Sequence, residues 1–471
     1  MWRDIQPALA ITKREVRDQL RDWRIIFPVL GLTVFFPFLM NFTAKTALDF
    51  VTKYGASLIA DRLVPFLFMV VGFFPISVSL VIALESFVGE KERGSIEPLL
   101  NTPLKDWQIY LGKLLSSTIP PLLSSYIGMA VYLVGLAITK VTLPGVNVLI
   151  QLVALTTVQA VVMVAGAVIV STQTTSVRAS NLLASFIVIP SALLIQGESV
   201  VIFWGDYTTL WWVVFGMTIF SILLVRVGLA HFRREELLGR EIDVLNLRWG
   251  WKVFYSSFRS GADSLGIWYK SVFIAIKANW IPIVIVSVLF ICGVYIGYLQ
   301  TFRFKISLDQ IGVNNIENQL VDIMKNTPIY SSTPIMGYFW QNLRVLLLAL
   351  PLGLFTFGVV GVLPGIASLG IVGYLMGLLN QAGLPPLQFF TAFILPHGIF
   401  EIPAAIIATA SVFRSGALVA TPDPNRSVSE IILQSLAQWV KIMLGVVIPL
   451  LLVAACVEAW VTPRIAYLLL R

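Results

Sequence analysis

An all-α polytopic membrane protein is the fold class this sequence predicts, on three observations. Of 471 residues, 57% are hydrophobic and only 12% are charged, about half the charge of an ordinary globular domain. The mean hydropathy is +0.86. Apolar runs recur along the chain, each near the ~20 residues an α-helix needs to cross a bilayer.

The same composition sets several classes aside. A net charge of +8 would suit nucleic acid in a soluble chain. Here the basic residues flank apolar runs, where they orient helices in a bilayer, and no nucleic-acid partner is expected. Cys292 and Cys456 lie within apolar runs and read as small buried hydrophobes, not as a disulfide or a metal pair.

In chain order, residues 3–24 mix Arg14, Arg17 and Arg21 with Glu15, Asp18 and Asp22, while Ile5, Leu9, Val16 and Leu20 recur at helical spacing. This predicts an amphipathic helix at the cytoplasmic interface. The first crossing runs over 25–42, with a bend at Pro37, and the second over 63–84. Next comes the densest charge in the chain, ESFVGEKERGSIEPLLNTP at 85–103. Such a segment does not pass through lipid and belongs at the mouth of the membrane domain. Gly89, Gly94 and the break at Asn101-Thr102-Pro103 divide it into two short amphipathic pieces set at an angle. The second of these extends over 104–115.

Crossings three to six fall at 119–138, 148–170, 182–201 and 211–229. A polar cytoplasmic link, 172–180, joins the middle pair, and an external hairpin at Gly205-Asp206 joins the last. Glu198 sits near enough to the outer end of the fifth to reach water. The longest basic stretch, 231–277, interleaves Trp249, Trp251 and Trp268 and reads as an interfacial linker on the cytoplasmic side.

A seventh crossing, 281–298, leads to a largely polar external stretch, 299–336, containing Asn314-Asn315. Glycines at 353, 358, 361, 365, 370, 373 and 377 then predict two helices, 343–363 and 366–379, packed closely on each other. The second is short, tilted or re-entrant. The crossing at 389–413 is expected to break at Pro396 or Pro403. A cytoplasmic segment, 414–435, precedes Lys441, which marks the start of the last crossing, 442–461. The expected total is about eleven crossings in two bundles, with the N-terminus cytoplasmic and the C-terminus external.

Three polar residues stand out inside apolar runs. His397 and Glu401 are four apart and share a helical face, and Glu458 is a third. Such groups face the bundle interior or an aqueous cavity, as a structural network or as a transport or gating path. Zinc is the alternative. The other histidine, His231, lies far along the chain and no cysteine forms a ligand motif, so no metal is expected. HExxH and a nucleophile–base pair are both absent from the sequence, and no catalytic residue is expected. No GxxxxGK[ST] occurs either, so this chain is not expected to hydrolyse ATP by itself.

The charged segment GEKERGSIEPLLNTPLKDWQIYLGK resembles the cytoplasmic motif of ABC-2-type transporter permeases, a glutamate-rich turn followed by glycine, glutamate, two leucines and proline. The matching residues are Glu90, Glu92, Gly94, Glu97, Leu99, Leu100 and Pro103, continued by Gly112 and Lys113. The amphipathic leader and six crossings over the first half resemble that family too. The resemblance implies a permease domain over 1–245 whose loop, 85–115, couples to a separate ATP-binding subunit, with ATP and Mg²⁺ held by that partner. Leu99 and Leu100 would supply apolar contact there, and Glu90, Arg93 and Glu97 charge pairing or loop shape. It also implies paired permeases, as a homodimer or a heterodimer, moving a lipid, peptide or ion.

Past an interfacial linker at 246–280, residues 281–471 resemble stage II sporulation protein M-like membrane proteins. The resemblance rests on Phe339, Asn342, Leu343 and Arg344, the glycine-rich helices, Asn380, PHGIFEIP at 396–403, and Glu458 with Thr462-Pro463. It implies about five crossings with an intramembrane polar network of Asn342, Asn380, His397, Glu401 and Glu458. It also implies a link to envelope remodelling or a transport complex. A non-transport scaffold for envelope assembly is therefore the alternative to an exporter subunit.

Overall fold

The computed structural model describes residues 2–53, 57–174, 176–205, 207–232, 246–302, 332–421 and 426–470. Most of the expected external stretch 299–336, part of the basic stretch after His231, and Asp206 and Asp423 lie outside the described residues. Those described form helices and no sheet. The chain divides into two compact units, Met1–Leu245 and Asn246–Arg471.

Ten described helices are long and apolar enough to cross a membrane, against about eleven expected. The difference falls at the fifth expected crossing. That crossing corresponds to the helix Ser185–Trp204, whose described apolar stretch is Pro190–Phe203.

In the first unit the organising element is α3. To reach it the chain runs through α1 (Trp2–Gln19) and α2 (Trp23–Lys53), and α3 itself spans Ser57–Glu92. Its 36 residues extend about 54 Å, well beyond the ~30 Å of a hydrocarbon core. The charged residues from Glu85 to Glu92 are therefore the last turns of a helix and not a loop. Pro65 and Pro75 lie within this helix without ending it.

After α4 (Ile96–Leu100), α5 begins at Asp106 and runs unbroken to Ile138. The expected amphipathic piece at 104–115 and the third crossing are thus one helix, with Pro120 and Pro121 inside it. The unit is completed by α6 (Val146–Gln173), α7 (Val177–Leu183), α8 (Ser185–Trp204) and α9 (Tyr207–His231). α3 packs on α2, α5 and α6 around a core that includes Phe68, Met69, Tyr132, Leu136 and Leu152. On α2, Phe35, Phe38 and Phe42 point outward, as a face toward lipid acyl chains would. Glu198 does not reach water: it is 2% exposed and accepts a hydrogen bond from Gln159.

The second unit opens with two helices from the basic stretch, α10 (Leu247–Arg259) and α11 (Leu265–Ala278). Asn246 and Ser264 cap them, accepting from the N–H groups of Trp249 and Ile267. Then follow α12 (Trp280–Gln300), α13 (Ser332–Phe355), α14 (Leu363–Gln381) and the single turn α15 (Pro386–Phe389). The last helices are α16 (Leu395–Ala420), α17 (Val428–Ile442), α18 (Ile448–Trp460) and α19 (Thr462–Leu470). Cys292 is exposed on α12, contrary to expectation, and Cys456 is half-buried.

The glycines pair differently from the sequence expectation. α14 packs most closely on α12, not on its neighbour α13. A Cβ at Gly297 would overlap the Gly370 carbonyl, and one at Gly373 would overlap that of Val294. The earlier glycines serve α16: Gly353 faces Val412, and Gly358 lies in the left-handed region (φ 89°) against Phe413. Small residues let backbones approach, but which helix approaches is decided by the whole bundle.

Neither Pro396 nor Pro403 breaks the 389–413 crossing. Instead a π turn, Phe390–Ile394, sits just before Pro396, and a second, Met443–Val447, just before Pro449. A proline cannot donate to the carbonyl four residues back, and its ring crowds that carbonyl. A one-residue widening of the helix accommodates the misfit. Lys441 is likewise not the start of a crossing. It lies near the end of α17, 3% exposed, and donates to Ser260 Oγ at 2.8 Å.

Candidate functional site

In the first unit the charged segment is an elbow with a locked base and an open tip. α3 ends in a Schellman turn, in which Ser95 N–H donates to Glu90 O (3.0 Å) and Gly94 N–H to Lys91 O (3.1 Å). Gly94 supplies the left-handed residue (φ 65°) that this turn requires. Gly94→Ala is expected to cost about 1 kcal/mol, read as a lower thermal midpoint in detergent. An unchanged midpoint would remove the turn's assigned role.

Beneath the turn, Lys113 of α5 is 1% exposed, with Nζ 2.6 Å from Glu90 Oε1 and 3.2 Å from Glu15 Oε1. One buried ammonium thereby ties α1, α3 and α5 together. Thr12 donates to Gly112 O at 3.2 Å, and Gln108 donates to Asp4 O at 2.6 Å. A Cβ at Gly112 would come within 2.8 Å of Ile11 Cβ, so glycine is what lets α1 lie flat on α5. On the other side, the N–H groups of Phe87 and Val88 share Ser171 Oγ at 3.1 Å, and Lys91 Nζ donates to Thr174 O at 3.0 Å. Val177 N–H donates to Glu92 Oε1 at 2.8 Å.

The residues singled out for coupling therefore separate into two groups. Glu90 faces inward onto Lys113. Arg93, Glu97 and Pro103 are exposed, Leu99 is half-buried, and Leu100 ends α4. Ile96 is buried and anchors the tip. Glu15 and Lys113 stand far apart in the chain, and no periodicity in the sequence links them.

In the second unit, α16 brings His397 and Glu401 onto one face, with Nε2 and Oε2 3.9 Å apart. α18 brings Glu458 to the same place, and one ligand-type atom from each of the three lies within 4.8 Å of the others. Asn342 of α13 hydrogen-bonds Glu401. These side chains line a cavity of about 350 Å³ with Gln341 and Ser368. Thr462 lies 3.2 Å from His397 Nδ1 through its hydroxyl. Asn380 is elsewhere: it is exposed near the end of α14 and donates to Tyr298 Oη at 2.8 Å. The expected five-residue network is thus four residues plus a separate interhelical pair.

Fold and sites together define a multi-pass, all-helical membrane protein built of two bundles. The chain joins an ABC-2 family transporter-like region and a Stage II sporulation protein M-like domain: residues 9–203 match the family described as ABC-2 family transporter protein, and residues 285–463 match the family described as Stage II sporulation protein M. The two matches fall in different structural units. Neither kind of domain is catalytic. An uncharacterized protein of Methanocaldococcus jannaschii is 30% identical over 190 residues, spanning 40% of this chain and 98% of that protein. No solved structure matches the chain.

Proposed function

We propose that this chain is a non-transport membrane scaffold for envelope assembly or remodelling that carries an ABC-2-type unit and a Stage II sporulation protein M-like unit on one polypeptide. The observation that supports it is the fusion itself. A module similar to a sporulation membrane protein, with a core of its own, is carried on the same polypeptide as a permease-type bundle. Covalent linkage holds both at one place in the membrane, where a scaffold needs them.

A specific observation favours a second reading, the membrane subunit of an ATP-driven exporter. The elbow has a rigid base at Lys113 and an exposed tip at Arg93, Glu97 and Pro103. A contact that transmits force needs that combination. In this reading a separate ATP-binding subunit carries ATP and Mg²⁺ and docks on the elbow. The N-terminus is then cytoplasmic and the C-terminus external, and two permeases pair as a homodimer or a heterodimer. The cargo is a lipid, peptide or ion.

Affinity purification from native membranes, followed by ATP hydrolysis assays, separates the two. The scaffold reading expects envelope-assembly partners and no stoichiometric ATP-binding subunit. Recovery of such a subunit, with activity falling about tenfold in Glu97→Lys, a coupling of ~1.4 kcal/mol, would replace the scaffold with the exporter. Glu97 is exposed, so this variant leaves the locked base intact.

A further inference from the structure

We propose that His397, Glu401 and Glu458 bind one divalent transition-metal cation inside the second unit. The three residues come from two helices, and each offers one ligand atom within 4.8 Å of the others. Two bonds at the lengths zinc makes to nitrogen and oxygen set tetrahedral ligand atoms about 3.3 Å apart. Contraction by at most about 1.5 Å closes the site, a distance the carboxylate side-chain torsions cover.

The hydrogen bonds around His397 set its tautomer for ligation. The Thr462 hydroxyl donates to Val457 O at 3.2 Å. Its oxygen is then the acceptor for the ring, at 3.2 Å from Nδ1. This network assigns the proton to Nδ1, and Nε2 then turns a lone pair toward Glu401 Oε2, 3.9 Å away. Metal-bound histidines are held in this way, by a hydrogen bond from the nitrogen that does not ligate. Asn342 holds Glu401 in a comparable manner.

Charge balance points the same way. Two carboxylates meet an imidazole lone pair in a stretch of helices apolar enough to cross a membrane. Among the described residues lining the cavity there is no lysine or arginine. Ionisable groups at such depth are paired or bind ions. One imidazole nitrogen with carboxylate oxygens suits zinc or manganese, whereas calcium takes six to eight oxygens. The ~350 Å³ cavity leaves room for water or a further ligand at the open position. The π turns preceding both ligand-bearing helices, Phe390–Ile394 and Met443–Val447, are of a kind that recurs at functional sites.

The test uses the full chain in lipid nanodiscs, stripped with a chelator and titrated with zinc chloride, with bound metal counted by elemental analysis. Cobalt(II) replaces zinc to give an absorption spectrum. One zinc per chain is expected, weakened about 100-fold or more by Glu458→Gln or His397→Gln and about tenfold by Thr462→Val. Zinc should raise the thermal midpoint of the unaltered chain but not of Glu458→Gln. If Glu458→Gln does not fold, Thr462→Val decides, and unchanged affinity with an unchanged cobalt spectrum overturns the site. Absence of stoichiometric zinc also overturns it and leaves a proton-sharing carboxylate pair. Zinc retained in full by the Gln variants overturns it too, by placing the metal elsewhere.

Discussion

Lys113→Met is expected to destabilise the first unit by about 3–5 kcal/mol, because it leaves two carboxylates facing each other without their shared cation. Lys113 is 1% exposed, and both Glu15 and Glu90 lie within 3.2 Å of its Nζ. Glu90 also holds its second oxygen, Oε2, buried without a protein partner, so removing the ammonium strips this group of its one strong interaction. Neutralising all three, in Glu15→Gln/Lys113→Met/Glu90→Gln, is expected to restore most of the loss, since no uncompensated charge is left. Exposed Arg93→Ala should change stability by no more than about 0.5 kcal/mol. Denaturation of the purified chain in micelles, followed by a tryptophan or scattering signal, measures all three. A Lys113→Met midpoint equal to that of Arg93→Ala would show that the base of the elbow is not locked by this residue.

Gly373→Ala is expected to cost the second unit at least the 1–3 kcal/mol typical of overpacking, although alanine is the better helix former. The new Cβ would overlap the carbonyl of Val294 on α12. A backbone carbonyl has no rotamer to escape into, so α14 must move away along its contact with α12. Gly370 gives an internal control on the same helix. A Cβ there meets its nearest atom, the Gly293 carbonyl, at 3.5 Å, which is ordinary contact. Gly370→Ala should therefore lie within about 0.5 kcal/mol of the unaltered chain. Equal thermal midpoints for the two alanine variants would sink the assignment of α12 and α14 as a close pair.

Both predictions concern features whose residues were visible in the sequence while their partners were not. The glycine run at 353–377 announced close packing, yet it paired with α12 and α16 instead of folding back on itself. Lys113 belongs to the charged motif, yet its bond to Glu15 joins segments far apart in the chain. Glu198 looked solvated from its position near a helix end and instead lies buried against Gln159. The break expected at Pro396 became a π turn one step earlier, because the strain of a proline falls on the carbonyl four residues before it.

The sequence by itself determined the class of this protein and most of its spans, since a bilayer of fixed thickness imposes a length and a polarity on each crossing. It also marked the elbow and the His397–Glu401 pair, because local charge and a spacing of four are properties of neighbouring residues. Only the tertiary structure decided which helix meets which. It placed Glu458 beside His397, set Asn380 apart with Tyr298, and put Lys113 between Glu15 and Glu90. Such pairings depend on how every helix in a bundle packs at once, and hydropathy along a single chain carries no record of that.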